Sequence, residues 1–428
     1  MTATADLLAF AAGPVNLPAA VRAAALMLLG DTLAVGAAGS TAPGADGVLA
    51  AATGWGAGAA VPILGRAVRL PAAGAAFANG YQIHCLEWDA VHEPAVVHAM
   101  SVVTAALHAS CHARGGVDRE DALAALVVGV EIACLLGVAA TSPLRFFRPA
   151  TAGLIGAALA CARIAGLPSE RFADVLGLAH AQCAGTMQAH VEGSLALPLQ
   201  VAAAARAAVT AVDLVAAGLP GPHDALMGPF GYFPLFDAGD PTAEIATLGR
   251  HWRIPEISIK PWPSGRASHA TLRAIATLGA TRDDVRAIAA YVPPLVKRLV
   301  DRPIRPDMAP SYARLCLPFL TALMVIDGHI DPRRFHSETF TDPEVLRIAA
   351  LLTVHQDANV DPNALIPQKH VFDWHDGRIE IEQPATLGSP ASPLTAEAHA
   401  AKLALAVELA AVPIDLSDPL TLLSGTPA

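Results

Sequence analysis

Apolar residues recur with a helical period through the first half of the chain. Between Leu17 and Leu219, runs rich in Ala, Leu and Val are broken by Gly and Pro, which commonly separate secondary-structure elements. We expect Ser169 to cap one helix and Asp121 to stabilise the first turn of another through the helix dipole. The pattern predicts helices at Ala19–Val35, Ala72–Trp88, Met100–Ala113, Arg119–Leu136, Thr151–Ile164, Ser169–Cys183 and Ala196–Ala217. These helices are expected to form one domain.

The pattern changes near Pro255, where short β-rich runs appear among helices. Strands are predicted at Ile257–Lys260, Val285–Val292, Leu351–Val354 and Ile379–Ile381, and helices at Ala270–Leu278 and Leu315–Ile326. A final helix, predicted at Thr395–Leu409, returns to the Ala/Leu pattern and should pack back on the first domain. We therefore predict a mainly α protein, with a large all-α helical domain (residues 1–254 and 394–428) and a smaller α+β domain (residues 255–393).

Length and composition agree with this division. A chain of 428 residues exceeds what one hydrophobic core usually organises, so two domains are expected. Hydrophobic residues make up 54% of the chain but aromatic residues only 5%, which favours tightly packed helices over an aromatic-rich β-sandwich. The net charge is −10 and the basic residues are scattered singly, a distribution that argues against binding to DNA or RNA.

The cellular location is predicted from the start of the chain, the apolar runs and the cysteines. The first basic residue is Arg22, so the beginning lacks the charged region of a secretory signal peptide, and a cytoplasmic protein is expected. The most apolar run, Leu123–Ala140, carries Glu131 and predicts a buried helix, not a membrane span. The cysteines lack paired spacing and are predicted to be buried, reduced thiols. They are Cys85, Cys111, Cys134, Cys161, Cys183 and Cys316.

A dense polar cluster occupies residues 79–98. His84 and Glu87 are three residues apart, which on a helix places them on one face, and Asp89 and His92 are expected in the loop that follows. One interpretation is a divalent-metal site built from these four side chains, although the spacing matches no H-E-x-x-H motif. A second is a set of proton carriers and hydrogen-bond anchors without a metal. In the third, His84 and Glu87 only bond each other at a helix end.

A second cluster, residues 260–269, combines Lys260, Arg266 and His269 in a loop that is shaped by Pro and Gly and runs into a helix. Fixed cationic donors beside a helix N-terminus suit the binding of a carboxylate. An ordinary solvated loop is the alternative. A third candidate is the pair Arg145 and Arg148, beside a predicted helix start. The alternative for one of them is an ordinary surface position without a role in binding.

Motifs for organic cofactors are missing from the sequence. It contains no P-loop, no G-x-S-x-G elbow and no Rossmann glycine fingerprint after a predicted strand. Nucleotide cofactors are therefore not expected. Because the spacing of the possible metal ligands is also irregular, we expect the protein to work without a metal or an organic cofactor.

Several separated segments together resemble the MmgE/PrpD family, the 2-methylcitrate dehydratase-like proteins, over nearly the whole chain. The segments are Gly30–Leu33, residues 79–92, Gly185–Gln188 with Glu192–Ser194, Gly228–Phe233, Lys260–Pro263 with His269, and Leu317–Phe319. The resemblance implies a large all-α domain joined to a smaller α+β lid domain, a homodimer, and an active site in the cleft between the domains. It also implies cofactor-free action on polycarboxylates, as in 2-methylcitrate dehydration, cis-aconitate decarboxylation and iminodisuccinate epimerisation.

The resemblance also implies roles for particular residues. The predicted catalytic residues, which match acidic, His and Lys positions of the family's motifs, are Asp89, His98, Lys260 and His269. The predicted substrate-binding residues come from the polar and cationic clusters beside these motifs, and are Arg148, Arg266, His84 and His92. His98 is the preferred general base because an imidazole titrates near neutral pH, and Asp89 is expected to orient it or to hold a substrate hydroxyl. The catalytic residues are expected to converge in one cleft, with the two arginines close by.

Some positions depart from the family's pattern. Ala90 and Val91 stand where the family usually has Asp and Thr, and Arg148 stands where it has His. Leu197 replaces a Lys, which removes a cation and a proton donor, and Phe319 replaces a Tyr. Arg148 cannot serve as a general base because it stays protonated near neutral pH. Dehydration needs both a base and an acid, whereas epimerisation runs with fewer groups.

Three functions remain open at this point. The leading one is a cofactor-independent lyase, of the hydro-lyase or decarboxylase type, that abstracts the α-proton of a di- or tricarboxylic acid. The second is an epimerase or another isomerase of a polycarboxylate. The third is a dimer that binds carboxylates but has lost catalysis. A homodimer formed through the helical domain is expected, since Ala-rich helices this apolar leave more apolar surface than one monomer hides.

Overall fold

The computed structural model describes residues 2–281, 283–361, 364–374 and 377–426. Its first part is built from helices whose buried faces are mostly Ala, Leu and Val. These helices are α1 (Ala3–Ala12), α2 (Ala19–Ala38), α3 (Ala45–Thr53), α4 (Ala72–His84), α5 (Ala99–Ala113), α6 (Arg119–Val138), α7 (Arg148–Ile164), α8 (Phe172–His180), α9 (Gln188–Glu192), α10 (Ala196–Ala216), α11 (Tyr232–Leu235) and α12 (Thr242–Ile245). A short antiparallel pair, β1 (Val61–Pro62) and β2 (Arg69–Leu70), lies between α3 and α4.

The later part of the chain mixes helices and strands. The helices are α13 (His269–Leu278), α14 (Pro294–Val300), α15 (Pro310–Ala313), α16 (Leu317–Asp327), α17 (Ser337–Phe340), α18 (Pro343–Ala349), α19 (Ala396–Leu409) and α20 (Pro419–Ser424). The strands are β3 (Val285–Val292), β4 (Leu352–Gln356), β5 (Gln368–Trp374) and β6 (Gly377–Gln383). Short 3-10 helices lie at Gly39–Thr41, Ser169–Arg171, Ile254–Glu256, Arg266–Ser268 and Pro332–Arg334. A mainly α protein with a small sheet agrees with the prediction.

The later strands form one four-stranded sheet in the order β4-β3-β5-β6. β3 pairs in parallel with β4, and the other neighbours are antiparallel. Ile288 of β3 lies opposite both Leu352 and Phe372, so one apolar row crosses three strands. This row packs with α13, α16 and α18 in a hydrophobic core of its own, separate from the core of the first helices.

Small residues allow the helices of the first part to pack closely. Gly129 on α6 and Gly156 on α7 approach so nearly that a Cβ atom added at Gly156 would lie 2.2 Å from the Gly129 carbonyl oxygen. Any larger residue would separate the two helices. Glu131 on α6 is fully buried, and its carboxylate accepts the backbone N–H groups of Arg253 and Ile254, each at 2.8 Å. Burial raises the pKa of Glu131 to about 7.

Three helical segments are long and apolar enough to cross a membrane by length and composition alone. They are Ala19–Thr41, Arg119–Val138 and Ala196–Ala216, and 56%, 83% and 56% of their most apolar windows are buried inside the protein. The second segment contains all but the last two residues of the run Leu123–Ala140, which the sequence predicted as a buried helix. Nearly every residue of α6 from Ala122 to Gly137 is buried, so that prediction is confirmed.

Several predicted elements differ from the structure. The helix predicted to reach Trp88 ends at His84, and Glu87 adopts a left-handed backbone with φ of 53°. The strand predicted at Ile257–Lys260 is wrong, because only Ser258 pairs there, in an isolated bridge to Val91. The predicted Ser169 cap is also wrong, since Ser169 begins a 3-10 helix and makes no capping bond. The strand β5 was not predicted.

The last long helix, α19, packs against α2. Lys402 of α19 is buried, and its Nζ atom lies 2.7 Å from the Asp31 carboxylate of α2. The same ammonium group donates a hydrogen bond to the carbonyl oxygen of Trp88 at 3.1 Å. The final helix therefore supports the loop that follows α4, which carries the polar cluster.

Candidate active site

The loop between α4 and α5 is held from several sides. The Trp88 indole is buried, and its Nε1–H donates to the carbonyl oxygen of Pro261 at 3.1 Å. Val91 and Ser258 exchange two backbone hydrogen bonds, at 3.0 and 2.9 Å. These contacts join the loop to the segment that begins the second part of the chain. Polar side chains 164 to 173 positions apart in sequence are thereby brought together.

Asp89 is the centre of the polar cluster. Its carboxylate is fully buried, and Oδ2 accepts a hydrogen bond from Nδ1 of His84 at 2.9 Å. Nδ1 of His98 lies at the same distance from Oδ2, and the Ser101 hydroxyl donates to that oxygen as well. The two imidazole rings meet nearly edge to face, with centroids 4.7 Å apart. One carboxylate oxygen therefore orients two histidines.

Lys260 supplies the positive charge beside these carboxylates. Its Nζ atom is buried and donates to both the carbonyl oxygen and the Oε2 atom of Glu87, each at 3.0 Å. It also lies 3.9 Å from Oδ1 of Asp89. The left-handed backbone of Glu87 is uncommon for a residue with a side chain, and it turns both acceptors of Glu87 towards the ammonium group. The functional contact therefore accompanies a strained backbone.

The carboxylates in the cluster are held in their ionised form. Burial alone would raise the pKa of Glu87, but the charges of Lys260, His84 and His98 together outweigh it and lower this pKa to about 2. Burial likewise opposes ionisation of Asp89, yet His84 and His98 hold its pKa well below the usual range. The cluster is therefore anionic at Asp89 across the physiological pH range.

The two histidines on Asp89 differ in their basicity. Burial lowers the pKa of His98, and the Asp89 carboxylate only partly offsets that effect. For His84, burial again lowers the pKa, but Asp89 and Glu87 together outweigh it and raise the pKa overall. Near neutral pH, His98 is therefore the imidazole that is free to accept a proton.

A cavity of about 800 Å³ lies between the two parts of the chain. Its wall includes His98 and segments 140–148 and 187–190 from the first part, and segments 256–267, 295–300 and 364–366 from the second. The side chain of His98 is 12% exposed, whereas its Nδ1 atom is buried against Asp89. The opposite edge of the ring, which carries Nε2, therefore faces the cavity.

Two family models cover most of the chain. The MmgE/PrpD N-terminal domain matches residues 9–244, and the MmgE/PrpD C-terminal domain matches residues 262–412. This chain belongs to the MmgE/PrpD family. The prediction made from the separated motifs is confirmed. The second match begins at residue 262, within the cluster at residues 260–269.

Similar proteins of the family include cis-aconitate decarboxylases. The protein of that name from Homo sapiens is 27% identical over 294 residues, which cover 65% of this chain and 60% of the human protein. The Mus musculus protein is 28% identical over 295 residues, or 65% of this chain and 59% of the mouse protein. A cis-aconitate decarboxylase-like protein, oryM, from Aspergillus oryzae is 28% identical over 62% of this chain and 58% of its own length. The chain thus spans about three fifths of these relatives.

The other residues expected from the MmgE/PrpD resemblance lie around the cavity in different ways. Arg266 lines it, but its guanidinium is saturated by Glu93, at 2.7 Å, and by neighbouring oxygens. His269 is buried behind Arg266, 3.2 Å from its Nη1 atom. Burial, with the nearby cations, holds the pKa of His269 well below its usual range. His269 is therefore neutral and not part of the cavity wall.

Arg148 and His92 make their main contacts with the protein itself. Arg148 lines the cavity, yet its guanidinium pairs with Asp237 at 3.2 Å and donates to the carbonyl oxygen of Ala95 at 3.0 Å. His92 is fully buried, with Nε2 3.2 Å from the Glu256 carboxylate and Nδ1 accepting the Ala95 N–H group. Arg145 is exposed, as an ordinary surface residue would be. Arg148 thus stands at the cavity with its charge already compensated.

Most positions where this chain departs from the MmgE/PrpD pattern carry apolar side chains, and Arg148 is the exception. Leu197 is buried on α10, Phe319 lies in the second core, and Ala90 is fully buried. Of the four apolar replacements, Val91 is the one that contributes to the cavity wall.

Two cavity residues, Arg298 and His190, were missed by the sequence analysis. Arg298 on α14 lines the cavity and has no ion-pair or hydrogen-bond partner among residues that the structure describes. His190 on α9 lines it too, and its Nδ1 atom accepts a hydrogen bond from Nη2 of Arg302 at 3.1 Å. Burial, followed by the Arg302 charge, lowers the pKa of His190 to about 4. His190 lies in the Gly185–Ser194 region that carried part of the resemblance, which was the available signal.

A metal site is one of the possibilities that the sequence left open. His84, Asp89 and His98 each offer a ligand atom, and these atoms lie within 4.8 Å of one another, a set that suits a divalent transition metal. His92, expected in such a site, contacts Glu256 instead. The Lys260 ammonium group, 3.9 Å from Asp89, opposes a second cation beside that carboxylate. The arrangement fits a proton-carrying cluster better than a metal centre.

Proposed function

We propose that this protein is a lyase that acts on a carboxylic acid by proton transfer at a carbon next to a carboxylate. The observation that carries the proposal is the His98–Asp89 pair, in which a buried carboxylate fixes one imidazole edge and leaves the other facing the cavity. The names of the similar proteins, cis-aconitate decarboxylases, support a lyase of this kind. A hydro-lyase and a decarboxylase are both compatible with the pair.

His98 acts as the general base in this proposal. Its lowered pKa keeps the imidazole neutral near pH 7, so Nε2 has a free lone pair for a substrate proton. When His98 takes up the proton, the Asp89 carboxylate at 2.9 Å stabilises the imidazolium. In a decarboxylation no substrate proton has to be removed: loss of carbon dioxide leaves a carbanion, and His98, protonated from solvent, donates the one proton that this carbon needs and returns to its neutral form. His98 therefore serves both reaction types, as the base in a dehydration and as the acid in a decarboxylation.

Lys260 stabilises the negative charge of Asp89, whereas Glu87 positions the ammonium group. The ammonium group is bonded to Glu87 and lies beside Oδ1 of Asp89, which favours the ionised carboxylate. Because the group is fully buried, its contribution is electrostatic and does not require contact with substrate. In this proposal Lys260 is a positioning residue, not the proton acceptor.

His190 supplies the hydrogen-bond donor that the replaced lysine at position 197 would otherwise offer. Arg302 donates to Nδ1 of His190, so the proton of this neutral ring is on Nε2. A neutral imidazole with a pKa near 4 stays unprotonated at working pH and donates a hydrogen bond without becoming a base. It stabilises negative charge that develops on the substrate carboxylate as the proton leaves.

The chemical step is tested by solvent exchange. Purified full-length protein is incubated in deuterium oxide with candidate carboxylic acids, and products are followed by mass spectrometry. The proposal expects deuterium at the carbon next to a carboxylate together with loss of water or carbon dioxide. His98→Gln should remove both. Binding of acids without any exchange in the parent protein would contradict the proposal and support a catalytically lapsed binding protein.

An isomerase remains the second candidate, and one observation favours it. Epimerisation needs only the removal and the return of a proton at one carbon, and His98 supplies a cavity-facing base for both steps when the planar intermediate turns its other face to it. Deuterium incorporation with inversion at the carbon, and with no group lost, would identify an epimerase. We further propose that the protein works without a cofactor, as a homodimer in the cytoplasm.

A further inference from the structure

The cavity has little unpaired positive charge. Of the arginines that line it, Arg148 is paired with Asp237 and Arg266 with Glu93. The Lys260 ammonium group behind the wall is bonded to Glu87. Within the part of the chain that the structure describes, Arg298 is the lining cation without a carboxylate partner. One substrate carboxylate can therefore be matched by a full positive charge.

The same wall carries carboxylates. Glu87, Glu93, Glu256 and Asp361 all line the cavity. Glu87 and Glu93 are paired with Lys260 and Arg266, so these pairs supply no free positive charge for a ligand. A second or third carboxylate on a substrate would therefore be desolvated without a cation of its own, and burying an unpaired charge is costly. The electrostatics of the cavity thus disfavour a compact trianion.

The rest of the wall is strongly apolar. One side of α14 contributes Leu295 and Leu299, and it faces Phe147, Met187 and Leu365 from other segments. The volume of about 800 Å³ lies in the upper part of the range of roughly 300–1,000 Å³ found for drug-sized ligands. A small, fully polar acid would leave most of this apolar surface in contact with water. A hydrocarbon group would cover it.

We infer that the substrate is an amphipathic acid, a mono- or dicarboxylate that carries a hydrocarbon substituent of several carbons. Its carboxylate end binds Arg298, and its hydrocarbon part lies along Leu299 and Leu365. This substrate class narrows the di- or tricarboxylic acid expected from the sequence. The inference rests on the proposed function only in assuming that the bound acid reacts, because binding itself is measured in a separate experiment.

The first test is calorimetric binding of a matched acid series to the full chain. The probes are propane-1,2,3-tricarboxylate, butanedioate and its 2-ethyl, 2-butyl and 2-hexyl derivatives. Affinity should rise about fourfold for each methylene group that becomes buried. The 2-butyl and 2-hexyl acids should bind more tightly than the tricarboxylate. Tightest binding by the tricarboxylate, or affinity independent of chain length, would overturn the inference.

Two variants separate the charge from the apolar wall. Arg298→Gln should weaken binding of every probe by about tenfold or more, because the charged hydrogen bond is lost. Arg286→Gln, at an exposed arginine of β3 outside the cavity wall, is the matched control and should bind as the parent does. Leu299→Gln should flatten the dependence on chain length and leave butanedioate nearly unchanged. Equal binding by Arg298→Gln and the parent would refute the role of Arg298.

Solvent exchange then distinguishes this inference from the proposed function. If the 2-hexyl acid binds tightly but no tested acid exchanges deuterium, the binding inference stands and the lyase proposal fails. If the tricarboxylate binds best and exchanges its proton through His98, the lyase proposal stands and the amphipathic substrate is wrong.

Discussion

Nδ1 of His98 lies 2.9 Å from Oδ2 of Asp89, although nine positions separate the two residues in the loop between α4 and α5. The contact fixes the ring at the N-terminal end of α5. His98 is the residue just before this helix, and its backbone is not helical. In the proposed mechanism, the imidazole that takes up the proton is thereby held by a carboxylate that does not line the cavity. The predictions for the site follow from this separation of roles.

Replacing the base should affect chemistry more than binding. His98→Gln keeps a polar side chain of similar length but cannot accept a proton near pH 7, so we expect solvent exchange to fall by about 10²- to 10⁴-fold. Acid binding, measured by calorimetry, should change little. His329→Gln, at an exposed histidine outside the cavity, is the control. Parent-level exchange in His98→Gln would rule out this base.

The pH profile should report the environment of His98. Because burial lowers its pKa, the acid limb of kcat/KM should have its midpoint below 6.5, the ordinary value for an imidazole. Asp89 favours the protonated ring, so Asp89→Asn should move this limb to still lower pH, in addition to lowering the rate. An acid limb at higher pH in Asp89→Asn would contradict the assigned contact.

Removing Lys260 should destabilise the fold. Lys260→Met leaves the Glu87 carboxylate buried without its partner, a change that typically costs about 3–5 kcal/mol, measured by urea unfolding. Adding Glu87→Gln should recover part of the loss. Lys369→Met breaks an exposed pair with Glu380 and should cost less than about 1 kcal/mol. A Lys260→Met protein as stable as the Lys369 variant would argue against the buried pair.

The same pair predicts how stability depends on pH. The pKa of Glu87 is lowered from 4.5 to about 2 in the folded protein, so its stabilising contribution is complete above pH 4.5. The contribution is lost as the pH falls towards 2. Between these values, the free energy of unfolding of Glu87→Gln should therefore decline less steeply than that of the parent. If the free energies of unfolding of the two proteins fell equally with pH, the pKa of Glu87 would not be lowered in the folded protein.

A homodimer is expected from the exposed apolar side chains of the helical part. Phe230 is 76% exposed, and Leu235 nearby is 49% exposed. Light scattering at micromolar concentration should give twice the mass of one chain, and Phe230→Ser should shift the equilibrium towards monomer. Leu346→Ser on α18, another exposed apolar residue, serves as the control. A monomeric parent protein would disprove the expectation.

The periodicity of apolar residues predicted helices and strands well where the pattern within one segment was enough to identify the element. The strand at Val285–Val292 was predicted with the observed ends, and the helix at Arg119 began at the predicted residue. The strand at Ile257–Lys260 failed because a β-like run forms a strand only if a neighbour pairs along its length, and only Val91 does so. Tertiary context decided that case.

The candidate site was predictable in its residue types but not in its pairings. The motif segments supplied Asp89, His98 and Lys260, which the structure brings together. The partner of Lys260 is Glu87, 173 positions away, and no local pattern encodes such a contact. Arg148 and Arg266 looked free in the sequence, whereas the fold gives each a carboxylate. Arg298 gave no sequence signal because it sits in an ordinary amphipathic helix.

The contact from Lys402 to the Trp88 carbonyl has a consequence for synthesis of the chain. Trp88 belongs to the loop that carries Asp89, yet the ammonium group that supports it is made more than 300 residues later. During translation, the loop therefore lacks this contact until α19 has left the ribosome. A chain terminated before α19 never forms it.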